Sequence, residues 1–199
     1  MSDDTKQKSE NVDIQRRQFL LKSTGLLGGV GMLLALTPFI ASWFPNRKTQ
    51  SSAQPIHVDL HALAPGQKMT VMWRGKPIWI VRRTPEMLAA LSHHDNLLRD
   101  PDSLVQQQPT YAQNKSRSIR PDILVLVGLC THLGCSPQYK PEVSEVSVDW
   151  PGGFYCPCHG STFDLAGRVF KGVPAPINLE VPPYRFESEN VIVIGENEA

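Results

Sequence analysis

Hydrophobic and polar positions divide the chain into a charged N-terminal stretch, one long apolar run and a C-terminal part with short apolar runs. The apolar run, Ser23 to Phe44, contains no charged side chain over 22 residues. At about 1.5 Å of rise per residue, a helix of this length crosses the roughly 30 Å hydrocarbon core of a bilayer. We therefore predict a membrane-spanning helix at 19–44 and a polar tail at 1–18, disordered over residues 1–15.

The flanks of the apolar run bear on how this helix is used. A cleaved secretory signal ends in small residues, whereas this run ends in the bulky sequence ASWFPN, so we interpret it as a retained anchor. Arg16 and Arg17, followed by QFLLK, match a twin-arginine export signal, a route that carries folded proteins across a membrane. The alternative is that the two arginines only obey the positive-inside rule. Both interpretations place the N-terminus in the cytoplasm and the C-terminal part outside.

Beyond a polar segment at 45–55, which we interpret as a flexible linker, the pattern at 56–199 is typical of a mainly β domain. Period-two alternation, turn residues and capping residues locate its elements. These are a hairpin at 69–84 that turns near Arg74, Gly75 and Lys76, a short helix at 85–91 with Thr84 as N-cap, a polar surface loop at 92–118, and strands at 122–129, 144–150 and 190–195.

Composition adds one unusual feature, the placement of the cysteines. A net charge of +1 over 199 residues, without a dense basic run, gives no reason to expect nucleic-acid binding. Seventeen prolines and fourteen glycines suit a loop-rich β fold. All four cysteines and two of the six histidines lie in two hexapeptides, CTHLGC at 130–135 and CPCHGS at 156–161.

Three kinds of site fit these hexapeptides. Two structural disulfides account for the cysteines but leave both histidines without a role. A structural zinc fits the spacing in the second hexapeptide but leaves two cysteines over. A third arrangement uses every residue: Cys130 and Cys156 bind one metal ion, His132 and His159 bind a second, and Cys135 and Cys158 remain for a disulfide.

Both hexapeptides, as they stand, resemble those of the Rieske [2Fe-2S] proteins of cytochrome bc complexes. The likeness continues through WRGKPIWIVRRTPEML at 73–88 and DLAGRVFKGVPAPINLEVPPY at 164–184, in which GVPAP (172–176) is similar to the family's proline loop around the cluster. The resemblance implies an antiparallel β domain in which a small cluster-binding subdomain, at about 128–178, is inserted into a larger β base. It implies one [2Fe-2S] cluster per chain, iron ligands at Cys130, His132, Cys156 and His159, and a disulfide between Cys135 and Cys158.

The same resemblance assigns roles to residues around the ligands. His159 and His132 are expected to face quinol and to exchange a proton through the ring nitrogen that does not bind iron. Phe163 stands where many members have a tyrosine that bonds a ligating sulfur, so we expect a lower reduction potential than in tyrosine-bearing relatives. The other expected neighbours are Leu133 on the docking surface, Ser161 bonding a bridging sulfide, Gly134 and Gly160 at tight turns, and Pro174 in the proline loop.

In function, the resemblance implies the iron–sulfur subunit of a bacterial ubiquinol–cytochrome c reductase. Such a subunit takes one electron, coupled to a proton, from quinol and passes the electron to a c-type cytochrome. The implied partners are cytochrome b and a c-type haem subunit in a dimeric complex, with the anchor in the bacterial inner membrane and the Rieske domain in the periplasm. The alternatives are a Rieske subunit of another periplasmic oxidoreductase, such as an arsenite oxidase, and a membrane-anchored structural zinc module.

Several residues that could attract attention are expected to have no such role. We expect sheet packing for Trp73 and Trp79. We expect surface or loop positions for His57, His61, His93 and His94, and solvated surface for Asp95, Asp100 and Asp102.

Overall fold

The computed structural model describes residues 3–44 and 54–197. The chain divides into two compact units, Met1–Arg47 and Lys48–Ala199. The first contains one helix, α1 (Asp3–Ser42). Within α1, the segment Ile14–Ser42 is long and apolar enough to cross a membrane, by length and composition.

Helix α1 begins at Asp3, so the prediction of a disordered segment at 1–15 is wrong. No proline or glycine precedes Gly25 in the sequence, and nothing in that stretch therefore interrupts the hydrogen bonding of a helix. Pro38 lies inside α1 near its far end, a position at which membrane-spanning helices tolerate proline. Of the predicted linker at 45–55, residues 45–53 lie outside the described residues.

The second unit is built, in its described part, from three antiparallel sheets of three strands each. This confirms the predicted mainly β fold with one apolar helix. The first sheet contains β1 (Ile56–Asp59), β9 (Val191–Ile194) and β8 (Tyr184–Ser188), and the second contains β2 (Lys68–Trp73), β3 (Lys76–Arg82) and β4 (Ile123–Val127). The third contains β5 (Gln138–Lys140), β6 (Gly153–Tyr155) and β7 (Thr162–Phe163), all within 128–178.

The second sheet forms because a tight turn joins two apolar runs and a third apolar run pairs with the second of them. Arg74 and Gly75 connect β2 to β3 with φ of 50° and 73°, the conformation of a two-residue hairpin turn. All five residues of β4 are buried beside β3. The ring of Trp79 on β3 stacks on Phe154 of β6 at 5.2 Å between centroids, which packs the third sheet against the second. The hairpin, the buried strand and the packing role of Trp79 are confirmed.

The short helix and the closing strand also form where predicted. Helix α2 (Pro85–Ala90) begins after Thr84, whose hydroxyl accepts a hydrogen bond from the backbone N–H of Met87 at 3.3 Å. Strand β9 pairs with β1 on one side and with β8 on the other.

The strand predicted at 144–150 does not form. These residues make a turn between β5 and β6, in which the backbone N–H of Ser144 donates to the carbonyl of Trp150 at 2.8 Å. The apolar residue Val148 is 88% exposed, and the alternation of the sequence has no neighbouring strand to pack against. Trp150 alone is buried in this turn, with its ring N–H bonded to the carbonyl of Lys140 at 3.0 Å.

The segment 92–118 is not a plain surface loop, and His94 is not a surface histidine. His94 is buried, with its Nε2 3.5 Å from an oxygen of Asp164. Arg117 is fully buried and donates to the backbone carbonyls of Ala166, Gly167 and Leu179. Polar side chains of segment 92–118 are buried because the backbone carbonyls of the neighbouring turn at 164–168 are buried and need hydrogen-bond donors. His57, His61 and His93 are exposed, as predicted.

Asp95, Asp100 and Asp102 are not uniformly solvated either. Asp95 is half-buried and paired with Arg168, whose Nη1 lies 2.8 Å from its carboxylate. The carboxylate of Asp100 accepts the backbone N–H groups of Leu104 and Val105. Asp102 is exposed.

Gly153 supplies a test of how β6 is held in the third sheet. A Cβ at this position would overlap the backbone carbonyl oxygen of Phe163, which cannot move without breaking the sheet. We predict that Gly153→Ala lowers the free energy of unfolding by roughly 3 kcal/mol or more. Thermal unfolding of the full chain in detergent, followed by circular dichroism, measures the change.

The matched control is Gly75→Ala, at the exposed hairpin turn. Its φ is also positive, 73°, but no atom lies near the added Cβ, so only the backbone conformation is penalised. That penalty is about 1–2 kcal/mol. Equal losses in the two variants would contradict the steric account of Gly153.

Candidate metal centre

The two hexapeptides fold as matching loops. In each, the backbone N–H of the first cysteine donates to the sixth residue's carbonyl, at 2.7 Å for Cys130 and 2.8 Å for Cys156. In each, the glycine N–H donates back to the first cysteine's carbonyl at 2.9 Å. Gly134 and Gly160 have φ of 78° and 75°, a left-handed conformation that a Cβ disfavours. Both glycines are therefore at the tight turns the sequence predicted.

A disulfide between Cys135 and Cys158 joins the two loops. The two other cysteines, Cys130 and Cys156, are free and buried. The sulfur of Cys156 lies with those of Cys135 and Cys158 in a group whose members are all within 4.8 Å of one another. Since bonded sulfurs are not thiolates, Cys156 is the member of this group that can bind a metal, and Cys130 supplies the second free thiol of the two loops.

The sulfur of Cys130 has a polar surrounding that suits a ligand. The backbone N–H of His132 and the side chain of Ser161 favour its thiolate form. Burial has the larger effect and raises the pKa of the Cys130 thiol, and the neighbouring thiol of Cys156 raises it further. A thiolate at this place therefore needs a compensating positive charge, which a coordinated metal ion supplies.

The two histidines of the loops face each other. The rings of His132 and His159 lie 4.8 Å apart between centroids and are nearly perpendicular, at 86°. Nδ1 of His132 is buried and has no hydrogen-bond partner among the described residues. A buried ring nitrogen without a partner is costly, and metal coordination removes that cost. His159 is exposed.

The residues present therefore fit a Rieske cluster: two free thiols and two imidazoles on two clasped loops. A zinc ion takes the same donor set, so the choice between the two comes from the family and not from the geometry. The structure brings together all six residues of the predicted ligand and disulfide sets.

The expected neighbours surround this site. Leu133 is 70% exposed at the tip of the first loop, and Pro174 is exposed in the segment GVPAP. The hydroxyl of Ser161, fully buried, accepts the backbone N–H of Ala175 at 3.1 Å. Phe163 is fully buried in the hydrophobic cluster that contains both free cysteines, which suits a ring that packs below the site.

Sequence reasoning missed two polar residues that hold this site. The hydroxyl of Thr131 donates to the carbonyl of Ile177 at 2.7 Å and so connects the first loop to the segment after GVPAP. Asn178, 1% exposed, bonds three groups in its surroundings. The sequence did contain a signal for Asn178, a single amide inside an otherwise apolar stretch. Such an amide is buried only when its polar atoms are hydrogen-bonded, so its position predicts a bonded side chain.

Comparison with known proteins bears on the identity of the site. Residues 58–184 match the Rieske [2Fe-2S] domain family, and residues 6–46 match the "Ubiquitinol-cytochrome C reductase Fe-S subunit TAT signal" family. The second match confirms the twin-arginine prediction made from Arg16 and Arg17.

Curated relatives are similar over nearly the whole chain. The ubiquinol-cytochrome c reductase iron-sulfur subunit of Allochromatium vinosum is 50% identical over 191 residues, which cover 95% of this chain and 92% of the relative. That of Bradyrhizobium diazoefficiens is 42% identical over 180 residues, 90% of this chain and 94% of the relative. Among solved structures, a chain of a hyperthermophilic respiratory complex III aligns at a TM-score of 0.45 and 24% identity, over 87% of this chain and 98% of that chain.

The geometry of the two loops and the similarity along the chain lead to one conclusion: this protein belongs to the Rieske [2Fe-2S] family, among the ubiquinol–cytochrome c reductase iron–sulfur subunits.

Proposed function

We propose that this chain is the electron-carrying subunit of a bacterial ubiquinol–cytochrome c reductase, with Cys130, His132, Cys156 and His159 as the ligands of its cluster. The observation that carries the assignment is the set of residues that the disulfide between the two loops leaves free. The disulfide uses Cys135 and Cys158, and it leaves one free cysteine and one histidine in each loop. When bound, the [2Fe-2S] cluster supplies a one-electron acceptor at roughly −150 to +300 mV, well above the roughly −400 mV of four-cysteine plant-type clusters.

His132 and His159 are the residues that accept the proton from quinol. An imidazole that binds metal through one nitrogen leaves the other free to accept a hydrogen bond from a quinol hydroxyl and to take its proton. His159 is exposed, whereas His132 is half-buried, which favours His159 as the residue in contact with quinol. Leu133, 70% exposed, gives the same tip an apolar contact for docking on cytochrome b.

The N-terminal unit supplies the attachment to the membrane. A twin-arginine signal and one apolar helix fit a single-pass anchor with a translocated Rieske domain. We infer that the anchor lies in the bacterial inner membrane, with the N-terminus cytoplasmic and the domain periplasmic. There the domain would work with cytochrome b and a c-type haem subunit in a dimeric complex.

The residues between anchor and domain complete the proposal. The segment 45–55 is polar, with small residues and no hydrophobic periodicity, as in flexible tethers. Movement of the domain between a quinol site and a c-type cytochrome requires such a tether.

Loss of either proposed cysteine ligand tests the ligand set. We predict that Cys130→Ser and Cys156→Ser reduce bound iron and labile sulfide to background, because serine is a poor iron ligand. They should also abolish the low-temperature EPR signal of the reduced protein, and quinol oxidation by the complex falls with them. The exposed His57→Gln, distant in sequence from both loops, is the control and keeps full iron content. Stoichiometric zinc with no EPR signal in the wild-type protein would overturn the proposal in favour of a zinc module.

Phe163 provides a test of how the reduction potential is set. The ring of Phe163 carries no hydroxyl. In Phe163→Tyr, the added hydroxyl can donate to a ligating sulfur and stabilise negative charge at the site. We predict a higher midpoint potential in a redox titration of the variant. The control Phe163→Leu changes packing without adding a donor. A potential in Phe163→Tyr no higher than in the wild type counts against the idea.

A stiffened tether tests the role of the linker. We predict that six prolines inserted after Gln50 slow steady-state quinol–cytochrome c turnover about ten-fold or more, because a polyproline II segment resists bending. The EPR spectrum should stay unchanged. An insert of equal length built from glycine and serine is the control and retains turnover. Normal turnover with the proline insert would rule out a moving domain.

A further inference from the structure

The segment 92–118 pairs with the residues around GVPAP, which are hydrogen-bonded to both ligand loops. We call residues 96–103 the brace and residues 169–178 the wall. The wall reaches both ligand loops through two hydroxyl groups, Thr131 to the carbonyl of Ile177 at 2.7 Å and Ser161 from the N–H of Ala175 at 3.1 Å. The position of the wall therefore bears directly on both loops.

The brace holds the first half of the wall by strand-like pairing. Leu98 and Phe170 form an isolated antiparallel bridge, with Arg99 N–H donating to the carbonyl of Val169 and Lys171 N–H to that of Leu97, both at 2.9 Å. Side chains add to this pairing from both directions. Nζ of Lys171 donates to the brace at the carbonyl of Asn96, 2.8 Å away, and Arg99 donates to the wall at Val173, 3.2 Å away.

Asn178 holds the second half of the wall through its side chain. This side chain is nearly fully buried, at 1% exposure. Its amide nitrogen donates to the carbonyl of Asp100 at 3.0 Å and to the hydroxyl of Ser103 at 3.3 Å, both in the brace. Its amide oxygen accepts the backbone N–H of Val169 at 2.9 Å and so ties the two ends of the wall together.

The brace itself is fixed to the turn that follows the second ligand loop. Arg168, fully buried, donates to the brace at the carbonyl of Pro101, 3.2 Å away. It also donates just ahead of the brace, to the carboxylate of Asp95 at 2.8 Å and to the carbonyl of Leu91 at 2.6 Å. Its Nε also bonds Asp164 at 2.7 Å. Because Arg168 anchors the brace on a buried ion pair, the brace is a rigid support and not a mobile loop.

We propose that Asn178 is a positioning residue for the cluster site: it couples the wall to the brace and thereby fixes the wall against the two ligand loops. This inference deepens the proposed function and rests on it for the identity of the site. Asn178 acts through Ala175 and Ile177, two backbone groups that bond the loops, and not by contact with the ligands themselves.

The test compares Asn178→Asp with the wild type in the full-length, cluster-loaded protein in detergent. The carboxylate keeps the acceptor for Val169 but loses both donors to the brace. We expect hydrogen exchange at the backbone N–H groups of Lys171 and Ala175 to quicken by roughly ten-fold to a hundred-fold, since opening the wall no longer breaks two buried bonds. We also expect altered g-values in the EPR spectrum of the reduced protein, because the loops lose their fixed position.

The matched control is Asn114→Asp, which removes two amide donations to backbone carbonyls within the same segment but does not touch the wall. Exchange at Lys171 and Ala175, and the EPR spectrum, stay at wild-type values in this control. Ser103→Ala removes one of the two brace acceptors and gives a smaller effect in the same direction. If Asn178→Asp does not accumulate as folded protein, Ser103→Ala serves as the test variant in its place.

Two results would overturn the proposal. One is unchanged exchange at Ala175 in both Asn178→Asp and Ser103→Ala. The other is acceleration that extends equally to the amides of β3, which means that Asn178 only stabilises the domain. If the wild-type protein contains no iron, the proposed function is wrong. The exchange measurements then still test whether Asn178 couples the wall to the brace.

Discussion

The site depends on one constraint: two loops from different parts of the chain must present their side chains to a common point. The disulfide between Cys135 and Cys158, 23 residues apart, joins the loops at one position each. The identical hydrogen-bond closure of each hexapeptide fixes its internal shape, with glycine at the turn. Because each loop is rigid and the two are clasped, the remaining cysteine and histidine of each have little freedom, as ligand placement requires.

Buried positive charge organises the surroundings of that site. Arg83, Arg117 and Arg168 are nearly or fully buried. Among their acceptors are the backbone carbonyls of Leu165 and Ala166 in the turn at 164–168, and those of Ser116 and Pro101 in segment 92–118. Burial lowers the pKa of Arg83 and of Arg117 to about 10, so both stay charged at neutral pH. Burial opposes ionisation of Asp164, yet the bonds from His94 and Arg168 outweigh it and hold the pKa of Asp164 below its usual value. This network joins the segment that supports the wall to the turn that follows the second loop.

Much of the fold was predictable where local chemistry decides the conformation. The Arg74–Gly75 turn, the Thr84 cap and the apolar run of β4 each carry their own signal, and each element formed as predicted. The predictions failed where local pattern and tertiary context disagree. Residues 144–150 alternate like a strand but meet no partner strand, and the polar segment 92–118 looks solvated but supplies donors to buried carbonyls.

The sequence by itself identified the candidate donor residues, because CTHLGC and CPCHGS place cysteine, histidine and turn glycines within a few residues of one another. The choice of a cluster over a zinc ion came from the resemblance to a family. The sequence also determined the apolar helix and the export signal, which are properties of contiguous composition. Only the tertiary structure decided that Asn178 and Thr131 hold the wall and that His94, Arg117 and Arg168 lie inside. The physical reason is that a polar side chain is buried only when distant parts of the chain supply its partners, and a linear sequence does not state which parts will meet.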